Sequence, residues 1–431
     1  MAIAVDKTIS QIMENGLCTG CGTCVGICPV DAIGMVIEHK KGIYIPQLDE
    51  EKCNQCGLCF EVCPGHAIDF KQLNLEIFGK EPEDVLLGNY INCYAGHATD
   101  YDIRYNSASG GLVTALLIFA LEEGMIDGAL VTRMKKDNPL EPEPFIARTK
   151  DEIIEAAKSK YCPVPANIAL KEILKAKEGE RFAVVGLPCH IHGIRKTELI
   201  DKKLKQRIVL HFGLLCSGNR TFLATEYMLR KAGINPQEVA RFDYRGQGRP
   251  GQFVATLRNG ERYSLPYREY YVKLMRSFFF PMRCTLCSDH SCELADISFG
   301  DIGFTEFQHD SIGISSIISR SEVGDRFLKQ AASAGVIELS NISRDRLAES
   351  KIGAFYRKKK DLRTRRSLFR LQHKSIPDDA TRLLNPDFLS YIYAMVLYPE
   401  IYISRRRRLW GLISPLGSIS RWGSRILGEG E

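Results

Sequence analysis

The rhythm of hydrophobic positions changes three times along the chain. Up to about Phe70 the apolar runs are short: "AIGMVIE", "GIYIPQLDEEKC" and "AIDF" are suited to short strands, with little apolar core around them. "KQLNLEIFGKEPEDVLLGNY" follows and reads as a linker with at least one helical turn. From Cys93 onward helices alternate with apolar strands. "SASGGLVTALLIFALEEGMIDGALVTR" predicts a Gly turn, a helix passing from amphipathic to buried, and a strand. "KEGERFAVVGLPCHIHGIRK" predicts strand, tight turn and helix, and "RIVLHFGLLCSG" a buried strand ending in a loop. "QFVATLRNGERYSLPY" predicts a hairpin across Asn259-Gly260. This alternation predicts an α/β domain running to about Gly353. Beyond it "YRKKKDLRTRRSLFR" predicts a basic helix, and "SRRRRLWGLISPLGSISRWGSRILGEGE" is expected to be mobile at its end. The expected units are residues 1–72, a linker 73–89, a domain 90–353 and a basic helical tail 354–431.

Composition narrows the class. The 431 residues exceed one compact core, and 45% hydrophobic with 26% charged residues fits a globular protein. The net charge of +6 is mild, with basic residues crowded into the C-terminal quarter, and no nucleic-acid reading motif accompanies it. No apolar stretch reaches the roughly 20 residues that span a bilayer. The nearest, "FLSYIYAMVLY" from Phe388, is bounded by Pro386 and Pro399. The first residues lack the apolar segment of a signal peptide. Fifteen cysteines, an odd number mostly in tight CxxC steps, argue for metal-bound thiolates in a reducing cytoplasm rather than disulfides. The expected location is cytoplasmic, at most peripheral at a membrane.

Two cysteine runs repeat one spacing. "CTGCGTCVGICP" from Cys18 and "CNQCGLCFEVCP" from Cys53 each read C-x2-C-x2-C-x3-C-P. That run binds paired [4Fe–4S] clusters, with the fourth cysteine crossing to the other cluster. Cys18, Cys21, Cys24 and Cys63 are therefore assigned to one cluster, and Cys53, Cys56, Cys59 and Cys28 to the other. Zinc also takes CxxC pairs, but not normally a third step followed by x3-C-P, twice over. A further group, Cys284, Cys287 and Cys292 in "RCTLCSDHSCELADISFGD", is one thiolate short of a third [4Fe–4S] site. Cys189 in "GLPCH" and Cys216 in "LLCSG", each ending an expected strand, are the two candidates for the fourth ligand; structural zinc is the other reading. Cys93 and Cys162 are read as small buried residues without a role.

Outside the cysteines, "NSASGG" precedes a helix. Ser107, Ser109, Gly110 and Gly111 would let backbone N–H groups approach an anion there, although Ser and Gly also simply cap helices. "AKSKY" sets Lys158 and Lys160 beside a tyrosine, or is a solvated charge run. Clusters pass one electron at a time whereas hydride donors deliver two, and no side chain here divides the pair; a flavin is the usual solution. No G-x-G-x-x-G follows an expected strand, which argues against an NAD-type site.

"SASGGLVTALLIFALEEGMIDGALV", "SKY", "AVVGLPCHIHGIRK", "HFGLLCSG" and "CTLCSD…ADISFGD", in this order, resemble the beta subunit of coenzyme F420 hydrogenases and dehydrogenases over roughly residues 90 to 350. The N-terminal runs resemble the ferredoxin module that many members carry. The resemblance implies a fold class: an α+β ferredoxin-like dicluster domain, a non-Rossmann α/β flavin-binding domain, and a basic, mostly helical C-terminal tail. It implies that the stretch from Ser107, through Ser109, Gly110 and Gly111, to Thr114 holds FAD phosphates. Lys160 and the turn Pro188 to His190 would line the flavin pocket, and Asp301 would close it. Cys284, Cys287 and Cys292, with Cys189 or Cys216, fall where the family's own cluster lies. "GLPCH" departs by one residue from the "GTPC" form of the family. The expected function is a flavin and iron–sulfur oxidoreductase that exchanges hydride with coenzyme F420, or a similar carrier, and trades single electrons with ferredoxin or partner subunits. The family's ferredoxin-driven pigment reductases and its members from polysaccharide gene clusters give an alternative, a ferredoxin-driven reductase of an organic substrate. A non-catalytic electron-transfer subunit is a third reading. The basic tail reads as a surface for an anionic membrane or an acidic partner, or as a solvated end.

Overall fold

A computed structural model of the chain describes residues 7–267, 269–271, 278–307, 309–372 and 374–416. In the N-terminal module each cysteine run bends into a short helix, Thr23–Ile27 and Leu58–Glu61, capped by a left-handed glycine, Gly22 (φ 85°) and Gly57 (φ 77°). Strands β1 (Ile33–Glu38) and β2 (Ile43–Leu48) form an antiparallel hairpin with Val36 opposite Ile45, and β3 (Ala67–Ile68) follows the second run. The module's own apolar core is small, with Ile9, Ile12, Leu17 and Ile33 packed around the cysteines. The segment after it is the helix Phe70–Phe78, capped by Asp69 and closed by Gly79.

The larger domain is built on an eight-stranded sheet. Its strands are β4 (Asn92–Ala98), β5 (Gly128–Met134), β6 (Pro142–Ala147), β7 (Phe182–Gly186), β8 (Ile208–Leu214), β12 (Ile297–Asp301), β13 (Ser315–Ser319) and β14 (Ile337–Asn341). Between them in the chain, β9 (Val239–Asp243), β10 (Gln252–Leu257) and β11 (Arg262–Pro266) form a separate antiparallel sheet, with the expected turn at Asn259-Gly260 and Gly260 at φ 89°. The large sheet runs β14-β4-β13-β12-β8-β7-β5-β6. Its middle strands β5, β7, β8 and β12 are mutually parallel, so their carboxyl ends all open on one edge. These strands are apolar and largely buried, as expected of a parallel sheet covered on both faces. The helix Leu112–Glu122 covers one face and is buried along most of its length.

The basic C-terminal stretch forms the helices Ile352–Lys359, Leu362–Leu371 and Phe388–Ser404. The first of these crosses the boundary expected at residue 353. Up to residue 379 the stretch is not the solvated end that the charge run suggests. β15 (Asp378–Asp379) pairs in parallel with β3, Arg365 Nε donates to the Thr285 carbonyl at 2.7 Å, and Lys359 meets Glu293 at 2.6 Å with both side chains buried. Lys358, Lys359 and Arg365 are buried, while Arg357, Arg363 and Arg370 stay exposed. The mobility expected at the end of the chain falls on residues 417–431, outside the described residues. Among the described residues no helix is long and apolar enough to cross a membrane.

Candidate functional site

The carboxyl edge of the parallel strands opens on a cavity of about 420 Å³, a size typical of small-molecule and cofactor sites. Val131, Gly186, Leu214 and Asp301, one from each parallel strand, lie in its floor. Opposite them stand the loop from Ser107 and the first turn of the helix Leu112–Glu122, including Thr114. That helix begins at Gly111, φ 76°, where an added Cβ would lie 3.0 Å from Arg104 Cα. Its first N–H groups have no partner within the helix. Gly110 stands behind the wall: its N–H donates to Ser315 Oγ at 2.9 Å, and a Cβ would meet the Gly96 carbonyl at 2.7 Å. The Ser107 and Ser109 hydroxyls donate to the carbonyls of Ile103 (2.7 Å) and Ile314 (2.9 Å) and pin the loop.

Charged and aromatic groups complete the walls. Lys160 lines the cavity, but its ammonium donates to the carbonyls of Ala156 (2.5 Å), Ala157 (2.7 Å) and Lys158 (3.1 Å). Burial pulls its pKa down to about 7. Burial opposes ionisation of Asp301, but the Arg245 guanidinium 2.6 Å away outweighs it and holds the carboxyl below its ordinary range. Arg245 also lies over the Tyr267 ring at 4.5 Å, beside a cluster in which Tyr271 packs on Tyr161 and Tyr267 at 4.5 and 5.0 Å. The cavity thus offers helix-start N–H groups at its glycine-bounded end, an Arg245–Asp301 pair across from them and an aromatic flank, a donor set that fits a dinucleotide flavin.

Behind the ends of β7 and β8 lies a narrower cavity of about 60 Å³. Cys189, in the first turn of the helix Pro188–Ile200, Cys216, after β8, and Cys284 and Cys287 all line it, together with Pro188 and His190. Cys292 does not. It is buried at φ 58°, with its sulfur 2.6 Å from where a Cβ on Gly213 of β8 would stand. The structure therefore brings both Cys189 and Cys216 to Cys284 and Cys287, and leaves Cys292 out of the lining. Burial first, then neighbouring thiolates, raises Cys189 well above its ordinary value, and burial pushes Cys216 up to about 12. Four such thiols fit a cubane, whose irons supply the positive charge that favours the thiolates. A cubane also carries its ligands at its outer corners, further apart than those of one ion. Among the described residues no three potential ligands converge closely enough to hold a single metal ion.

Cys18, Thr19 and Gly20 form part of the same rim, so the first cysteine run meets the larger domain there. Asn167 joins them: its side-chain amide donates to Thr23 Oγ1 (2.8 Å) and to the His190 carbonyl (2.9 Å), and its backbone N–H to the Cys21 carbonyl (2.9 Å). The approach requires glycine, because a Cβ on Gly193 would lie 2.2 Å from Thr23 Oγ1 and one on Gly26 2.1 Å from the Asn167 carbonyl. His190 accepts the Leu187 N–H at Nδ1 (3.1 Å), so Nε2 donates to the Val164 carbonyl (2.9 Å). Burial lowers its pKa to about 4, which keeps the ring neutral. Within the runs, burial and mutual charge raise Cys18, Cys24 and Cys63, the last to about 11, and Cys21 is among the charges acting on all three. Burial raises Cys59, with Cys56 and Cys53 adding to it. Cys28 caps the helix Thr23–Ile27, and its sulfur accepts the Ala32 N–H at 3.3 Å. Cys53 is half-buried, and Cys56 is the one exposed cysteine of the chain.

Sequence reading missed Asn167, Arg245, the tyrosines, His290, Lys351 and Lys358. Arg245 had a signal in "YRGQGRPG", where Gly246, Gly248 and Gly251 all take positive φ. His290 lies inside the cysteine group itself and lines the larger cavity, with burial holding its pKa at about 3. The two lysines had none: Lys351 stands outside any motif, and Lys358 sits in a stretch that reads as a solvated basic run.

Comparison with known proteins gives the family. Residues 93–171 match the N-terminal model, and residues 179–345 the C-terminal model, of the coenzyme F420 hydrogenase/dehydrogenase beta subunit. Residues 17–67 match a 4Fe-4S dicluster domain. The coenzyme F420 hydrogenase subunit beta of Methanothermobacter thermautotrophicus is 32% identical over 262 residues, covering 60% of this chain and 87% of that one. The coenzyme F420-dependent sulfite reductase of Methanocaldococcus jannaschii is 29% identical over 83% of this chain, which spans about half (52%) of that protein. A chain of the F420-reducing [NiFe] hydrogenase complex from Methanosarcina barkeri shares the fold, with a TM-score of 0.53 at 24% identity over 69% of this chain and 98% of that one. The chain is a member of the coenzyme F420 hydrogenase/dehydrogenase beta subunit family that also carries a 4Fe-4S dicluster domain.

Proposed function

We propose that the chain is an FAD and iron–sulfur oxidoreductase that exchanges hydride with coenzyme F420 and passes electrons singly through three [4Fe–4S] clusters to or from a partner protein. One observation carries the reading: the cavities share walls. Cys216 lines both the larger cavity and the thiol cavity, and Cys18 belongs at once to the thiol cavity and to the first cysteine run. The named relatives support coenzyme F420 as the two-electron carrier.

A flavin held in the larger cavity supplies the exchange between a two-electron carrier and one-electron centres. The free N–H groups of the helix after Gly111, with Thr114, would face its phosphates. Ser107, Ser109 and Gly110 hold that loop in shape, and Lys160 does the same for the loop 156–160. Arg245 and Asp301 close the opposite side. Neutral His190 fixes the turn from Pro188 between the two cavities.

Cys189, Cys216, Cys284 and Cys287 would ligate the third cluster, and Cys292 would pack the loop against β8. Cys18, Cys21, Cys24 and Cys63 would hold the next cluster, and Cys53, Cys56, Cys59 and Cys28 the last, where the exposure of Cys56 lets a partner approach. On the helix Phe388–Ser404 an exposed row of Phe388, Tyr391, Met395 and Tyr402 precedes Arg405–Arg408. We assign this face to an anionic lipid surface.

Anaerobic purification with iron, sulfide and flavin quantitation, followed by stopped-flow mixing with reduced F420, tests the proposal. Bleaching of the flavin followed by cluster reduction is expected. Zinc without flavin would sink it, whereas bleaching by reduced ferredoxin and not by reduced F420 would favour the ferredoxin-driven reductase.

A further inference from the structure

The helix Ile352–Lys359 carries two lysines into the redox path. Lys351 at its N-cap and Ala354 line the larger cavity, and Phe355 meets His290 edge-on at 4.9 Å. Lys358, seven positions beyond Lys351 and so on the same helical face, lines the thiol cavity. Lys358 is only 2% exposed. A buried ammonium is costly unless a negative group answers it. The adjacent Lys359 has that answer in Glu293, 2.6 Å away. The groups acting most strongly on Lys358 are the sulfurs of Cys287, Cys216 and Cys284, with Arg365 opposing them; no carboxylate is among these. The cavity it lines puts it beside Cys189, Cys216, Cys284 and Cys287, whose thiolates would supply the counter-charge once a cluster is bound.

We propose that Lys358 is a positioning residue for electron transfer: its ammonium stabilises the reduced form of the cluster held by Cys189, Cys216, Cys284 and Cys287. The inference rests on the cluster reading given under Proposed function. A cubane with four thiolates is already anionic, and each electron it accepts adds one negative charge. A fixed cation in a water-poor cavity favours that added charge more than it would in solvent. The step would be a one-electron reduction of that cluster, the electron coming from a reduced flavin held in the larger cavity and passing on to the cluster of the first cysteine run, while Lys358 keeps its proton throughout. Electrons would thereby be drawn from the larger cavity toward the cysteine runs, and the lysine would act without touching the two-electron carrier.

The test is an EPR-monitored redox titration of the full-length, cluster-loaded protein, comparing wild type with Lys358→Met and Lys358→Arg. Lys358→Met is expected to keep the iron and sulfide of the wild type and to lower the midpoint of one cluster signal. The expected shift is a tenfold or greater change in the oxidised-to-reduced ratio at fixed potential, about 59 mV for a one-electron couple. The other two signals should not move, and Lys358→Arg should restore the midpoint. An unshifted midpoint in Lys358→Met overturns the proposal. If Lys358→Met loses one cluster, its retention at wild-type potential in Lys358→Arg supports the need for a cation, and its loss in both variants overturns it. Wild-type protein with only two clusters' worth of iron would remove the underlying cluster reading, separately from any result on Lys358.

Discussion

The two cysteine systems of this chain are built in opposite ways. The N-terminal system is written in sequence: eight cysteines in two copies of one spacing, each bent by a glycine into a short helix. The second is written in topology. Cys189 follows β7, Cys216 follows β8, and Cys284 and Cys287 arrive from a loop well beyond them, so the site exists only once the parallel strands are in register. A local ligand set needs little core beneath it, whereas a converged set depends on everything that aligns its strands. The largest effects should follow that division. Cys189→Ser, or Cys216→Ser, is expected to remove one cluster's worth of iron and one EPR signal and leave the other two. Cys292→Ala should retain all the iron. Cys28→Ser should damage the cluster of the distant Cys53 run, not that of its own. Full loss of iron in Cys292→Ala with no loss in Cys189→Ser would invert the assignment.

The converged site also stands on a buried ionic group that the N-terminal module lacks. His211 of β8 bonds Glu198 (2.7 Å) and Asp296 (2.9 Å), and Arg195 bonds the same two carboxylates at 3.0 and 3.4 Å. Glu198 and Arg195 lie on the helix Pro188–Ile200, whose first turn carries Cys189. Burial and Arg195 oppose protonation of His211, but the two carboxylates outweigh them and raise its pKa. Burial opposes ionisation of Glu198 and Asp296, yet His211 and Arg195 lower both. The signs set a window. The His211 contribution is complete below its unfolded value of about 6.5 and fades as pH rises through the raised folded value. The carboxylate contributions are complete above about 4 to 4.5 and fade as pH falls through the lowered values. His211→Leu, which leaves the carboxylates one cation short, should cost about 3 to 5 kcal/mol in denaturant unfolding. His211→Gln should abolish the alkaline part of the fall while leaving the acid part. A pH profile identical to wild type would show that the histidine is neutral in the fold.

How much of this was legible follows from the same contrast. The doubled run, the Gly turn before the helix Leu112–Glu122, the strand–turn–helix at "GLPCH" and the hairpin at Asn259-Gly260 are all local patterns, and each appears in the structure. The membership of the thiol cavity was not local. Spacing grouped Cys292 with Cys284 and Cys287, and asked for only one of Cys189 and Cys216. Strand pairing brings both in and turns Cys292 away. Lys358 was invisible for a related reason: inside "RKKKD" a lysine reads as solvated, and only packing against the cysteine loop makes it buried. Asn167, in a stretch with no motif at all, is the hinge pin between the two systems.

Asn167 gives a smaller and more selective test. Asn167→Ala removes two side-chain hydrogen bonds and leaves Thr23 and the His190 carbonyl short of a donor, at a cost of about 1 to 3 kcal/mol. The loss should appear where the first cysteine run docks. Hydrogen exchange of amides around Cys21 to Cys24 is expected to quicken, while β7 and β8 keep their protection. Uniform loss of protection through both systems would mean that the module and the sheet unfold as one unit.

The smallest expected effect concerns the outside of the molecule, where the two systems again differ. The second cysteine run presents the exposed Cys56, with Glu50, Glu51 and Lys52 just before it in the chain. The helix Phe388–Ser404 presents the apolar row, with Phe388 77% and Met395 62% exposed, followed by Arg405–Arg408, of which Arg407 pairs with Glu226. An uncharged, aromatic row beside a cationic run suits the interface of an anionic bilayer, whose surface attracts each nearby arginine by about 1 kcal/mol. Met395→Glu adds a negative charge to the centre of that row and, being on the surface, should change stability by no more than about 0.5 kcal/mol. It should weaken co-sedimentation with phosphatidylglycerol vesicles, while wild type binds those vesicles and ignores phosphatidylcholine ones. Clusters and flavin should be untouched. Binding lost by Met395→Glu toward a purified redox partner, with no vesicle binding by wild type, would reassign the row to a protein surface and leave Cys56 as only one of two docking faces.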